Sequence, residues 1–357
     1  MEDIYREIKR LRTDREKAVL ATVITKLGSA PREKGAKLLV REDGSSIGSI
    51  SGGCVEAETW QEAMQVMQTG ESKVIGFHLT EKEAVESGLI CGGRIEVYLE
   101  PLWMDYASEE CDIFEEITHI LSREGRAFLA TAIKREASKG QEKILIRQEG
   151  STLGSLGDKL LDNSIITHTR EMIGKEEPVL VTIKNSQNKE CEIYLEPILP
   201  TPILFIFGGG HISLPLARIA NIVGFKVAVI DDRELYANKD RFPEADEIYP
   251  LEFEKFFEQF ELSPRAYIVI VTRGHLHDEL VLEKALKTES AYIGMIGSKR
   301  KVRYTYDNLM RKEITEEQLS RVHAPIGLDI KAETPEEIAI SIMAEIIKIR
   351  RHYLARG

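Results

Sequence analysis

Ile203-Leu-Phe-Ile-Phe-Gly-Gly-Gly-His-Ile-Ser213 decides the fold of the second half of this chain. Its five apolar residues suit a strand buried on both faces, and three glycines then let the backbone turn tightly and approach a ligand. Leu214, Leu216, Ala217, Ile219, Ala220 and Val223 follow at helical spacing, and Gly224 stops the helix. Lys226-Val-Ala-Val-Ile230 is the next strand and ends on Asp231-Asp232. Strand, glycine turn, helix, strand and acidic end together make a dinucleotide-binding fingerprint, with Ser213 in place of the third glycine. On that reading Gly208, Gly209, Gly210 and His211 cradle a phosphate at the helix N-terminus. Asp231 or Asp232 accepts from ribose hydroxyls. The competing reading is a structural turn.

Working outward, strands are expected at 267–271 and 291–296, with a helix over 278–287 between them. Alternation of strands and helices predicts a doubly wound parallel sheet. Ligands of such sheets sit at the C-terminal strand ends, here Thr272–Asp278 and Gly297-Ser298-Lys299-Arg-Lys301. Gly297, Ser298 and Lys299 open a helix and either grip an anion or form an ordinary charged surface. His275, His277 and Asp278 lack a third clustered partner, which favours hydrogen bonding over a metal site. A last helix over 335–353 carries Ile338, Ile342, Ile346 and Ile349 as one stripe, for its own domain or for a second copy in a homodimer.

Leu199-Pro-Thr-Pro202 is a stiff linker, so residues 200–357 form the Rossmann-like domain and residues 1–199 a separate one. The N-terminal half repeats itself. Ala18–Ile24 matches Ala127–Ile133, Gly44–Ile50 matches Gly150–Leu156, and Ile95–Pro101 matches Cys191–Pro197. Two copies of one βαβ-like unit, about 18–101 and 127–197, are expected to build a single α/β domain. Helices are expected over 3–16 and 56–67.

The copies differ in their loops. Gly28-Ser29-Ala-Pro-Arg32-Glu-Lys34-Gly35, Ser51-Gly52-Gly53-Cys54-Val-Glu56 and Cys91-Gly92-Gly93 have no likeness in copy two, which reads Gly157-Asp-Lys-Leu-Leu-Asp162 and Asn188-Lys-Glu190 instead. Strands kept and loops lost means that the fold does not need these loops, which points to chemistry or binding. Cys54 falls where a helix begins, and the positive end of the peptide dipole favours an anionic group there. Cys54 and Glu56 are therefore the candidate reactive pair. The alternatives are buried small hydrophobes for both thiols and simple drift of the second copy.

The 357 residues are 43% hydrophobic and 30% charged, enough for two cores, with a net charge of −11 that speaks against nucleic acid. Four cysteines without a CxxC pair give no disulfide framework. No apolar leader and no run long enough for a bilayer are visible, so a cytoplasmic protein without membrane insertion is expected.

These motifs, with Ile293-Gly-Met-Ile-Gly-Ser-Lys299, Ala324-Pro-Ile-Gly-Leu-Asp329 and Thr334-Pro-Glu-Glu-Ile-Ala339, resemble the xanthine dehydrogenase accessory (XdhC/CoxI) proteins. A Thr-His-Asp-like stretch is usual in that family where this chain reads Thr272-Arg-Gly-His275. The resemblance implies an accessory protein rather than an independent enzyme. Such a protein binds the molybdenum cofactor (molybdopterin) and assists its sulfuration and insertion into a xanthine dehydrogenase-type molybdoenzyme, with a cysteine desulfurase as a further partner. It would set Arg32, Lys34 and Lys37 on the pterin phosphate and leave the Rossmann half for a nucleotide such as NAD(P) or FAD. Two other functions fit the residues: an NAD(P)- or flavin-dependent oxidoreductase using Cys54 or His211, and a nucleotide-sensing regulatory module.

Overall fold

The computed structural model describes residues 2–28, 33–78, 93–103, 112–133, 142–173 and 175–355. They divide into two compact units, Met1–Pro200 and Thr201–Arg356.

The first unit holds two five-stranded sheets. One runs β3-β2-β1-β5-β4, from β1 (Ala18–Leu27), β2 (Lys37–Arg41), β3 (Ser46–Gly48), β4 (Lys73–His78) and β5 (Arg94–Pro101). The other repeats that order as β8-β7-β6-β10-β9, from β6 (Ala127–Ile133), β7 (Lys143–Arg147), β8 (Thr152–Ser155), β9 (Val179–Lys184) and β10 (Glu190–Ile198). Every ladder in both is antiparallel. The expected βαβ-like unit is corrected accordingly. Strands β1 and β2 pair as antiparallel neighbours, which a hairpin connection allows and a crossover does not require.

The repeat is also longer than its strands. Helix Glu2–Thr13 buries Ile4, Tyr5, Ile8 and Leu11. Helix Ile113–Ser122 buries Phe114, Ile117, Ile120 and Leu121. The two helices pack into one core with Leu20, Leu39, Leu129 and Leu145 from both sheets.

Two buried ion pairs cross between the copies. Lys37 Nζ lies 2.8 Å from Glu196, with side chains 1% and 7% exposed. Lys143 Nζ lies 2.8 Å from Glu100. Each lysine also reaches a threonine of its own sheet, Thr22 at 3.4 Å and Thr131 at 2.8 Å. Charges withdrawn from water survive only with such partners.

The second unit is a six-stranded parallel sheet, β13-β12-β11-β14-β15-β16. It comprises β11 (Ile203–Phe207), β12 (Lys226–Ile230), β13 (Glu247–Tyr249), β14 (Ala266–Ile270), β15 (Tyr292–Met295) and β16 (Val322–His323). Helices Ser213–Ile222 and Pro335–Ala355 cover one face, where Ile342 and Ile346 are fully buried. Helices Phe253–Gln259, His275–Ala285 and Lys299–Met310 cover the other. The isoleucine stripe thus packs on its own unit. The strand order reverses between β11 and β14, which opens the ligand crevice of such sheets.

Candidate functional site

Antiparallel pairing gathers the sequence-predicted loops of the first repeat at one end of its sheet. Leu27 pairs with Arg94, so Gly28 and Gly93 leave that end side by side. Leu38 pairs with Gly48, so the segment leading to Cys54 leaves the same end. Ser29, Arg32, Cys91 and Gly92 lie outside the described residues. Lys34 is half-buried in the same loop.

The helix Cys54–Thr69 begins two residues before the sequence-expected start, and Cys54 is its exposed first residue. Gly53 precedes it at φ 63°, a conformation that a side chain resists, and no side chain caps the helix. A Cβ on Gly52 or Gly53 would meet no heavy atom within 4 Å. The hydroxyl of Ser51 is buried and has no hydrogen-bond partner among the described residues. An uncapped helix start, a buried unused hydroxyl and an exposed thiol suit an anionic ligand of some size.

The second repeat closes the same place. Asp158, at the position of Gly52, accepts from Leu160 N at 2.8 Å and Leu161 N at 3.2 Å. Its other oxygen takes Ser186 N at 3.0 Å and Ser186 Oγ at 2.5 Å. The Ser186 hydroxyl and then its N–H hold the Asp158 carboxyl down at about 2. Leu160 replaces the cysteine.

Two predicted residues turn out to belong to the scaffold. Glu56 Oε2 is 2.7 Å from Ser49 Oγ, and Asp162 Oδ2 is 2.7 Å from Ser155 Oγ at the matching place. A carboxylate that pins the strand–helix turn in both copies is positioned for that turn. Lys37 points into the ion pair with Glu196 rather than to the loop cluster.

In the second unit, Gly208 sits at φ 113°, where a Cβ would lie 2.5 Å from Val271 O. A Cβ on Gly209 would collide with the Tyr236 carbonyl, whereas Gly210 faces open space. Ser213 stands for the third glycine because its buried hydroxyl, 2.5 Å from the Gly208 carbonyl, donates back to it. His211 is exposed in the turn before the helix.

Asp231 is 2% exposed and fully occupied. Its oxygens accept from Gly209 N at 2.8 Å, Arg233 N at 3.0 Å, Arg233 Nε at 2.8 Å and Arg233 Nη2 at 3.0 Å. Burial pushes its carboxyl up, but the Arg233 and Gly209 hydrogen bonds outweigh that and hold it below the usual range. Asp231 therefore shapes the glycine turn, whereas the Asp232 side chain is partly exposed. Asp232 pairs with Arg273 Nη2 at 2.7 Å. Arg233 lies 3.6 Å over the Tyr236 ring. The residue directly after the acid pair was the signal that sequence reading passed over.

Gly297 and Lys299 flank Ser298, whose side chain caps the helix through Lys301 N at 3.3 Å. His275, Ser298, Arg300, Lys301 and Tyr304 line one shallow cleft. His275 and His277 belong to the first turn of a helix, against Tyr304 and Phe253. Asp278 beside them is fully buried and accepts from Thr272 Oγ1 at 2.6 Å and from Lys301. Among the described residues no group of three or more metal-ligating side chains is assembled, and no helix is long and apolar enough to cross a membrane.

The sequence matches the family described as XdhC and CoxI over residues 11–78 and the XdhC Rossmann domain over residues 204–346. It is similar to a probable xanthine dehydrogenase component of Bacillus subtilis, 29% identical over 353 residues and 98% of each chain. It is 24% identical over 341 residues to the molybdenum cofactor insertion chaperone PaoD of Escherichia coli, covering 94% of this chain and 84% of that one. A solved crystal structure described as a xanthine dehydrogenase from Bacillus halodurans is 29% identical, with a TM-score of 0.76 over 98% of this chain and 96% of that one.

Proposed function

We propose that this chain, which belongs to the XdhC and CoxI family, is a maturation factor that binds the molybdenum cofactor and hands it to a xanthine dehydrogenase-type molybdoenzyme. The observation that carries the proposal is the uncapped helix start at Gly52-Gly53-Cys54, beside the buried Ser51 hydroxyl. When bound, the cofactor supplies a dithiolene-held molybdenum that takes a terminal sulfur ligand. The chain's own part is to hold and shield it. The first N–H groups of Cys54–Thr69 and the Ser51 hydroxyl bind the phosphate, and the two glycines admit it without a clash. The exposed Cys54 thiol would be the soft donor this chain offers to the bound cofactor. Help with sulfuration, and a cysteine desulfurase as its sulfur source, belong to this reading.

The test is retention of released molybdenum cofactor by the purified chain on gel filtration, read by the fluorescence of the oxidised pterin. The wild type should retain about one equivalent and Cys54→Ala at least tenfold less. Equal retention by both, or none by either, overturns the proposal.

The Rossmann unit supports a second, compatible reading in which it holds a separate nucleotide. On this reading Asp232, with Arg233 and Arg273 beside it, accepts from the ribose hydroxyls. Binding of NAD, weakened in Asp232→Ala, is the expected result. Turnover of a small substrate with that nucleotide would favour the oxidoreductase instead.

A further inference from the structure

The second repeat contains a cavity of about 570 Å³ that the reading above does not use. It lies beside helix Lys159–Glu171 and is walled by Phe128, Ile146, Ile166, Ile173 and Leu199. Its volume falls in the range of about 300–1,000 Å³ typical of small-molecule sites.

The first repeat shows what fills this space when it is filled. The hairpins superimpose by register, since Ala18 pairs with Arg41 and Ala127 with Arg147. Their turns also match, with Gly44 N bonded to Arg41 O at 3.0 Å and Gly150 N to Arg147 O at 2.8 Å. The alignment that sets Cys54 on Leu160 then sets Trp60 on Ile166 and Met67 on Ile173, and the strand ends set Trp103 on Leu199. Trp60 Nε1 donates to the Gly44 carbonyl at 2.9 Å, and its ring edge would lie 3.3 Å from a Cβ on Gly44. A Cβ on Gly150 would meet nothing within 4 Å. Met67 is 6% exposed, whereas its counterpart Ile173 is 74% exposed. The second repeat has no indole at this place, and its apolar walls are open to water.

We propose that this cavity binds a fused-ring nitrogen heterocycle of purine or pterin size. A ring N–H takes the place of the Trp60 N–H on the Gly150 carbonyl, and the apolar walls cover the ring faces. Arg170 and Lys175 also line the cavity at its polar edge, beside Arg147, which is held by Glu116 Oε1 at 2.6 Å. That polar edge suits a ring bearing several acceptors. An indole side chain, with one donor and no acceptor, would leave it unused.

Calorimetric titration of the full chain with adenine, pterin and indole tests this. Adenine or pterin should bind once per chain, and the preferred one names the ligand class. Ile166→Trp, which restores the indole of the first repeat, should weaken binding at least tenfold without lowering the unfolding temperature. Ile166→Phe is the smaller plug if the indole is not accommodated, with the same loss expected, and Ile166→Leu should bind as the wild type does. Cys54→Ala should leave this binding unchanged, which separates the site from the loop cluster. Absence of adenine and pterin binding, binding of indole alone, or undiminished binding by a folded Ile166→Trp overturns the proposal.

Discussion

The two repeats of the first unit fold alike and end differently. Both place a lysine at the start of the second strand, a glutamate near the end of the last, and a serine–carboxylate pair at the strand–helix turn. They part at the helix start, where Asp158 caps one helix and Gly52-Gly53-Cys54 leaves the other bare. They part again behind that helix, where Trp60 fills what Ile166 leaves open. What duplication kept holds the fold, and what it let diverge is where ligands have room. This sorts residues by role more sharply than charge or residue type does.

The kept features should therefore give the largest stability effects, and equally in both copies. Lys37→Met strands Glu196 in the interior, and Lys143→Met strands Glu100. Each should cost about 3–5 kcal/mol in denaturant unfolding, the usual toll of breaking a buried pair from one side. Adding Glu196→Leu to Lys37→Met should recover most of the loss. A Lys37 variant of full stability whose only defect is in ligand binding would return that lysine to the cofactor site and break the comparison.

That outcome also marks how much could be read from sequence. The parallel sheet of the second unit was legible because strand, glycine turn, helix and acidic end follow each other locally between Ile203 and Asp232. The duplication was legible in the strands, yet the sheet direction was not. Nothing in an apolar run says whether its neighbour comes by hairpin or crossover, so a βαβ unit was expected where every ladder is antiparallel. The helix over 3–16 was legible from its apolar spacing, but its counterpart Ile113–Ser122 escaped because only that spacing is kept between the copies. Ile4, Tyr5, Ile8 and Leu11 share their spacing with Ile113, Phe114, Ile117 and Ile120, and both sets join one core.

Sequence reading sets Lys37 on the cofactor phosphate and Glu56 beside Cys54 as a reactive group, because both are charged and lie near the variable loops. Their partners, Glu196 and Ser49, lie at separations that spacing does not reveal. The signal was present all the same: Lys143 and Asp162 stand at the same places in a copy that lacks the loops.

A smaller effect is expected where the copies diverge in packing. Trp60→Ile should open in the first repeat the space already open in the second. It removes part of a half-buried ring and its hydrogen bond to Gly44, for a cost of about 1–3 kcal/mol. Ile166→Trp should be neutral or stabilising by the same assay. Equal and large losses from both would mean that the two spaces are not counterparts.

Exchanging the caps probes the divergence at the helix start. Gly52→Asp should bring a carboxylate like that of Asp158 beside the open helix start, one residue before its N-cap Gly53, and raise the unfolding temperature slightly. The new carboxylate would stand where an anion is proposed to sit, so cofactor retention should fall by about tenfold or more. The reverse change, Asp158→Gly, should lower the unfolding temperature slightly and leave retention unaltered. Unimpaired retention by Gly52→Asp would place the anion elsewhere.

The finest distinction between the two helix starts is in acid. Asp158 is held at about 2 by Ser186 and the helix N–H groups, whereas an unfolded aspartate titrates near ~3.9. A depressed carboxyl contributes stability that is complete above the unfolded value and is lost as pH falls through the folded one. The margin of wild type over Asp158→Gly should thus stay constant above about pH 4 and shrink between about pH 4 and pH 2. Gly52 has no carboxyl to titrate, so this acid step comes from the second repeat alone. The Asp158 carboxyl carbon, followed by NMR, should titrate near 2 and move up toward the ordinary aspartate range in Ser186→Ala. A wild-type midpoint already at the ordinary value would mean that the Ser186 bonds do not hold the cap in solution. The two helix starts would then differ in residue but not in strength.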